Sequence, residues 1–153
     1  MAVIAASYES EPTPNAADVF GGDGWRVRLV AVRIRRLPAG LARAEVDLQR
    51  PDGPVVTGTH EGPASADGDL RVVADATLDA LHRASGGAVR FALQGVKTVR
   101  AFDETVVLVQ VAVVAGRAPV RLVGAAMGDA DHARTAVLSV LNATNRILGQ
   151  PAD

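Results

Sequence analysis

Beyond residue 24 the chain writes one order of patterns twice, and this repeat constrains the fold more than any other feature. The stretch "WRVRLVAVRIRR" (Trp25 to Arg36) is β-branched and alternating, with Val30, Val32 and Ile34 on one face. After a "PAG" turn, "LARAEVDLQR" sets Ala44, Val46 and Leu48 against Arg43, Glu45 and Asp47. "PDG" supplies turn chemistry, since Pro presets φ and Gly accepts positive φ, and "PVVTGTHEG" reads as a third strand. The spacing then becomes helical. Leu70, Val73, Ala74, Thr77, Ala80, Leu81 and Ala84 form one stripe, and Arg71, Asp75, Asp79, His82 and Arg83 face water. Ser65, Asp67 and Asp69 suit the start of that helix, where the dipole favours anions, and Gly86 and Gly87 stop it.

The second pass repeats the order. "AVRFALQGVKTVRAF" (Ala88 to Phe102) is a strand region with a bulge expected at Gly95. "ETVVLVQVAVVAG" and "APVRLVGAAMG" follow as strands, and a closing helix starts at an Asp129 or Asp131 cap and ends at Gly149 and Pro151. Gly58 has its echo in Gly124, and Leu78 and Arg83 have theirs, at one shared offset, in Leu141 and Arg146. The expected fold is α+β: two tandem βββα repeats, residues 25–87 and 88–150, related by a pseudo-twofold. Each antiparallel meander is covered by one helix, and residues 1–24, rich in Pro, Ser and Glu, form a flexible arm.

One segment departs from a sheet with one wet face. Val106 to Val114 is apolar on both faces apart from Gln110, so both faces are expected to be covered. The cover would be the other unit's sheet or a second subunit, which predicts a homodimer.

Composition narrows the function classes. The 153 residues are 48% hydrophobic but 3% aromatic, so the core is built of Val, Leu, Ala and Ile. A formal net charge of -1 gives no general attraction to polyanions. Absence of cysteine excludes disulfides, thiolate nucleophiles and cysteine-ligated metal. The start lacks a basic n-region, and the longest apolar run is roughly half a membrane span. A cytoplasmic protein with no membrane contact is expected.

Chemistry has few footholds. The three histidines, His60, His82 and His132, share no metal-ligand spacing. Ser65, Ser85 and Ser139 sit in no nucleophile motif, and the pairs Asp67/Asp69 and Asp129/Asp131 are explained by helix capping. No catalytic residue, metal or cofactor is predicted. Arginines along Trp25 to Arg36, with Arg90, Lys97 and Arg100 on the equivalent strand, would make a basic strip if the two strands adjoined. Stacking aromatics for nucleic acid are missing, so nucleic acid is disfavoured. The candidate ligand site gathers Gly58 and Gly124 at the strand-to-helix junctions with His60, His132, Arg134 and Asn145. His60 and His132 are expected to occupy equivalent regions of the two repeats.

In the closing helix, Ala133, Val137, Val140, Leu141, Thr144 and Leu148 make the core stripe. Ser139, Asn142 and Arg146 are expected on the far, solvated face, while Arg134, Leu138 and Asn145 flank the stripe.

The duplicated unit ending "AVLSVLNATNR" resembles the C-terminal regulatory domain of the α-isopropylmalate synthases. Ala133, Ala136, Val137, Ser139, Leu141, Asn145, Arg146 and Gly124 carry the resemblance. It implies a dimeric module of two βββα units that binds leucine as an effector. The catalytic barrel of that family has no counterpart here, so synthase activity does not carry over. Function is accordingly expected to be a non-catalytic regulatory or small-ligand-binding module acting as a homodimer. The alternative is a protein-interaction module that assembles through the apolar 106–114 strand and the N-terminal arm.

Overall fold

A computed structural model describes residues 27–51, 53–87, 90–114, 119–128 and 131–148. The expected N-terminal arm, the Asp129 cap and the stop at Gly149 and Pro151 lie outside them.

Two antiparallel meanders, each followed by a helix, form an α+β fold of two βββα units. Sheet A comprises β1 (Arg28–Leu37), β2 (Leu41–Gln49) and β3 (Val55–Pro63), and α1 (Ala66–Ala84) follows it. Sheet B comprises β4 (Arg90–Ala101), β5 (Glu104–Val114) and β6 (Pro119–Met127), and α2 (His132–Leu148) closes the order. The middle strand of each sheet is the second in sequence, as short hairpins dictate.

The helices begin as the sequence requires. The Ser65 hydroxyl accepts from the Gly68 N–H at 2.8 Å, and the Asp131 carboxylate accepts from the Arg134 N–H at 3.0 Å. Gly86 and Gly87, at φ +67° and +84°, end α1 in the left-handed region that glycine tolerates. Two threonines facing the core satisfy their hydroxyls one turn back: Thr77 donates to the Val73 carbonyl and Thr144 to the Val140 carbonyl.

Strand register shows how far the repeat extends. Val46 of β2 pairs with Gly58 of β3, and Val109 of β5 pairs with Gly124 of β6. A bulge interrupts β1 between Leu29 and Ala31, and another interrupts β4 between Leu93 and Gly95 at the matching place. Glycines then set the helix height. A Cβ on Gly58 would collide with the backbone of Ala76 and Ala80, and a Cβ on Gly124 with the backbone of Ser139 and Ala143. A second pair matches as well, with Gly62 against the Val72 side chain and Gly128 against that of Thr135. In both units a helix of small residues therefore crosses the third strand at near backbone contact.

α1 lies across β2 and β3 and also reaches β4; α2 lies across β5 and β6, touches α1 and reaches β1. One core results, joining Val46 and Leu48 of sheet A, Val73 and Leu81 of α1, Val107, Val109 and Val111 of sheet B, and Val137 and Val140 of α2. This double contact corrects the reading of the closing helix. Ser139 is fully buried instead of solvated, and its hydroxyl reaches the carbonyls of Val107 and Thr135 at 2.9 and 2.8 Å. A side chain under the Gly124 crossing must be small, and serine can satisfy itself there. Among the described residues no helix is long and apolar enough to cross a membrane.

Candidate functional site

The six residues expected to form a ligand site do not come together. Gly58 and Gly124 lie in the middle of their strands beneath helix backbone, not beside a helix N-terminus, so the space a ligand would need is already filled. The glycines serve close packing. His60 stands on the open edge of β3, with Nε2 3.5 Å from the Asp75 carboxylate of α1. By strand register its counterpart in the second unit is Ala126, since His60 pairs with Ala44 and Ala126 with Val107. His132 occupies the first turn of α2, where the first unit has Asp69. The two histidines are therefore not pseudo-symmetric mates, because one belongs to a strand and the other to a helix start.

Arg134 is exposed, and Asn145 lies three turns further along α2, about 16 Å away by helix rise. The Asn145 Oδ1 is enclosed without a hydrogen-bond partner. Among the described residues no group of three or more His, Asp or Glu stands close enough to hold a metal ion.

Two clefts open beside the helices. The larger, about 460 Å³, runs between α1 and the start of β4 and is lined by Asp75, Leu78, Asp79, His82, Arg90 and Phe91 among others. Burial against this surface holds the Asp75 carboxyl above its usual range, while His60 and Arg71 pull it the other way. The smaller, about 270 Å³, gathers Asp67, Thr98, Arg100 and His132 near the starts of both helices.

The arginine strip does not form as one patch, because β1 and β4 belong to separate sheets. Two of its members, Arg33 and Arg36, are also neutralised by carboxylates, and a third, Arg28, bonds a neutral amide. Arg33 bonds Glu45 at 3.1 Å and Asp47 at 2.9 Å, Arg36 grips Asp69 with both terminal nitrogens at 2.6 and 2.7 Å, and Arg28 bonds Gln49 at 2.8 Å. Paired guanidinium groups of this kind order a surface and leave little net field for an anionic partner.

What remains unexplained by folding is the outer face of sheet B, the side away from α2. On β5 the residues Val107, Val109 and Val111 point into the core, so Val106, Leu108, Gln110 and Ala112 face outward. Beside them stand Val99 and Lys97 of β4, and Met127, Ala125 and Val123 of β6. Along the β6 edge this face is open, with Val123 69% and Met127 53% exposed, while Val106 and Ala112 in its middle are buried and Leu108 and Gln110 half-buried. At its edge the β4–β5 hairpin carries Phe102, 86% exposed, with φ +55°. The expectation that both faces of β5 are covered thus holds on the helix side, whereas sheet A does not reach the outer side. The lack of polar alternation along Val106 to Val114 gave the signal for this face; Phe102 was hidden, because it reads as the end of a strand.

No family model matches the chain, and no curated protein matches it.

Proposed function

We propose that the chain works as a self-associating module whose docking surface is the outer face of sheet B, occupied by the same face of a second copy. The observation that carries this reading is a substitution pattern across the internal repeat. Register places Arg43, Glu45 and Asp47 of β2 where β5 has Val106, Leu108 and Gln110. Thr57, Thr59 and Glu61 of β3 stand where β6 has Val123, Ala125 and Met127. The scaffold thus tolerates a charged outer face and has an apolar one in the second unit. Exposed apolar side chains such as Val123 and Met127, beside the half-buried Val99, Leu108 and Ala125, mark contact surfaces.

Size supports a modest dimer. Three strands about 4.8 Å apart and nine residues long, at about 3.3 Å per residue, span roughly 400 Å² in plan. Upright side chains raise the accessible area towards the about 600 Å² per partner of the smaller specific interfaces. A reversible dimer with Kd on the order of micromolar is expected. Sedimentation velocity over a concentration series tests it. Val123→Asp and Leu108→Glu should each leave a folded monomer. A wild-type chain that stays monomeric at about 0.5 mM, far above that Kd, overturns the reading.

A second reading, a regulatory module holding a small metabolite, is favoured by the 460 Å³ cleft between α1 and β4. Its lining offers an apolar floor in Leu78, Phe91 and Leu93 and polar groups in Asp79 and His82. Thermal stabilisation by a member of a metabolite panel, lost in Phe91→Ala, is the expected result. No shift across the panel at millimolar concentration removes it.

A further inference from the structure

Resting on the self-association reading, the geometry points to one orientation of the dimer: the two sheet B faces stack with their strands antiparallel, and Phe102 of each copy covers the Arg90 end of the partner's β4. Three observations meet in this arrangement.

First, the face is electrically polar along its strands. Arg90 and Arg121 mark the end where β4 and β6 begin, while Glu104 marks the opposite end, where β5 leaves the hairpin. Two such faces related by a twofold along the strands would put four guanidinium groups at one end of the interface. A twofold across the strands sends the Arg90 and Arg121 end of each copy to the Glu104 end of the other. Like charges packed together in a partly desolvated interface cost several kcal/mol, so the second arrangement is favoured.

Second, Phe102 is placed against its own local preferences. Bulky residues rarely adopt positive φ, and both turn residues of this hairpin do so, Phe102 at +55° and Asp103 at +61°. The matching turn in the first unit uses Ala39 and Gly40, at +67° and +71°. An aromatic ring 86% exposed on such a turn contributes nothing to the folded monomer. It does present a rigid apolar group at the tip of the hairpin, and strain of this sort collects where a contact uses it.

Third, Phe102 and Arg90 lie at opposite ends of the same β4 hairpin arm, and Arg90 is exposed. An antiparallel stack lays β4 over the partner's β4, so the tip of one falls on the start of the other. A guanidinium against the ring face adds a cation–π contact to the apolar burial.

The chain has no cysteine, so engineered thiols report orientation without background. Phe102→Cys and Arg90→Cys copies are mixed and treated with a short bis-maleimide crosslinker, which can span facing sheets about 10 Å apart. Glu104→Cys, at one end of β5, is treated alone in parallel. An antiparallel stack gives the mixed 102–90 product and little self-linked Glu104→Cys. A dimer by sedimentation that links through Glu104→Cys but not through the 102–90 pair overturns the orientation and leaves self-association standing. Absence of any dimer overturns both. Phe102→Gly relieves the turn and should weaken association about tenfold with no loss of thermal stability. Unchanged affinity in that variant removes the Phe102 contact.

Discussion

Arg43, Glu45 and Asp47 stand in sheet A where Val106, Leu108 and Gln110 stand in sheet B, yet the opposite faces of the same strands are nearly interchangeable. On the helix side, Ala44, Val46 and Leu48 answer to Val107, Val109 and Val111, all fully or almost fully buried. The glycine crossings match in both register and partner. On the outer side, sheet A carries a lattice of ions: Arg33 between Glu45 and Asp47, Arg43 between Glu45 and Glu61, and Thr57 donating to Asp47 at 2.7 Å. The inner face is constrained by packing density, which forgives little. The outer face is constrained only by what touches it, and the two units differ there because different things do.

The largest effect should come from the shared face. Gly58→Val and Gly124→Val each force the helix off the third strand, and each should cost about 3 kcal/mol. Urea unfolding of both variants checks this. If one is tolerated while the other unfolds the chain, the two inner faces are not equivalent after all.

Next in size is an exchange of outer faces. Giving β5 and β6 the charges of the first unit (Val106→Arg, Leu108→Glu, Gln110→Asp, Val123→Thr and Met127→Glu) should abolish association by 100-fold or more, about 2.7 kcal/mol, with the fold retained. Sedimentation and far-ultraviolet circular dichroism separate the two outcomes. A dimer that survives the exchange locates the interface elsewhere and breaks the comparison.

Smaller is the polar group within the shared core. Ser139 stands where the first unit has Ala76, and its hydroxyl serves the carbonyls of Val107 and Thr135. Ser139→Ala should cost about 1 kcal/mol in urea unfolding, because a buried carbonyl loses a donor. A neutral result would mean that the carbonyls are already satisfied within the backbone.

Much of this was legible in the sequence, and the boundary is physical. Alternation in "LARAEVDLQR" against the continuous "VVLVQVAVV" already announces one wet face and one that wants cover. The Asp131 cap, the Gly95 bulge and the Thr144 hydroxyl follow from local chemistry and stand in the structure. Ser139 was misplaced because a single helical stripe presumes a single packing partner, whereas Asn142 stands exposed as expected. α2 has several, and Asn142 uses the far side to donate to the edge carbonyl of Ala125 at 2.7 Å, as Asp79 accepts from the edge N–H of Thr59 at 2.9 Å. Gly58 and Gly124 announced themselves as a pair, but whether a glycine admits a ligand or a helix depends on tertiary height, which no local pattern carries. Phe102 could be found only once the tip of the β4–β5 hairpin was seen to hold a positive φ, as Ala39 does in the β1–β2 turn.

The smallest effect distinguishes the two outer faces by pH. Asp47 is held below the usual carboxylate range by its hydrogen bonds from Arg33 and Thr57, and its counterpart in sheet B is Gln110, which does not titrate. A carboxylate whose folded pKa is depressed stabilises the fold above its unfolded value of about 3.9. That contribution is lost as pH falls through the folded pKa, so acid should loosen the ion lattice of sheet A. Asp75 works in the opposite sense. Burial raises its pKa in the folded chain, so the ionised form costs stability above that pKa, and the cost vanishes on acidification. His60 and Arg71, which face it from β3 and from its own helix, reduce that cost without reversing it. Thermal midpoints followed from about pH 6 to about pH 2 should therefore fall less in Asp47→Asn than in wild type, and fall more in Asp75→Asn. A Gln110→Asp variant should acquire no comparable acid dependence of stability, because Lys97 and Leu108 offer it no arginine fork of the kind Arg33 gives Asp47. If Asp47→Asn keeps the full acid loss, the ions of sheet A decorate its outer face and do not hold it together.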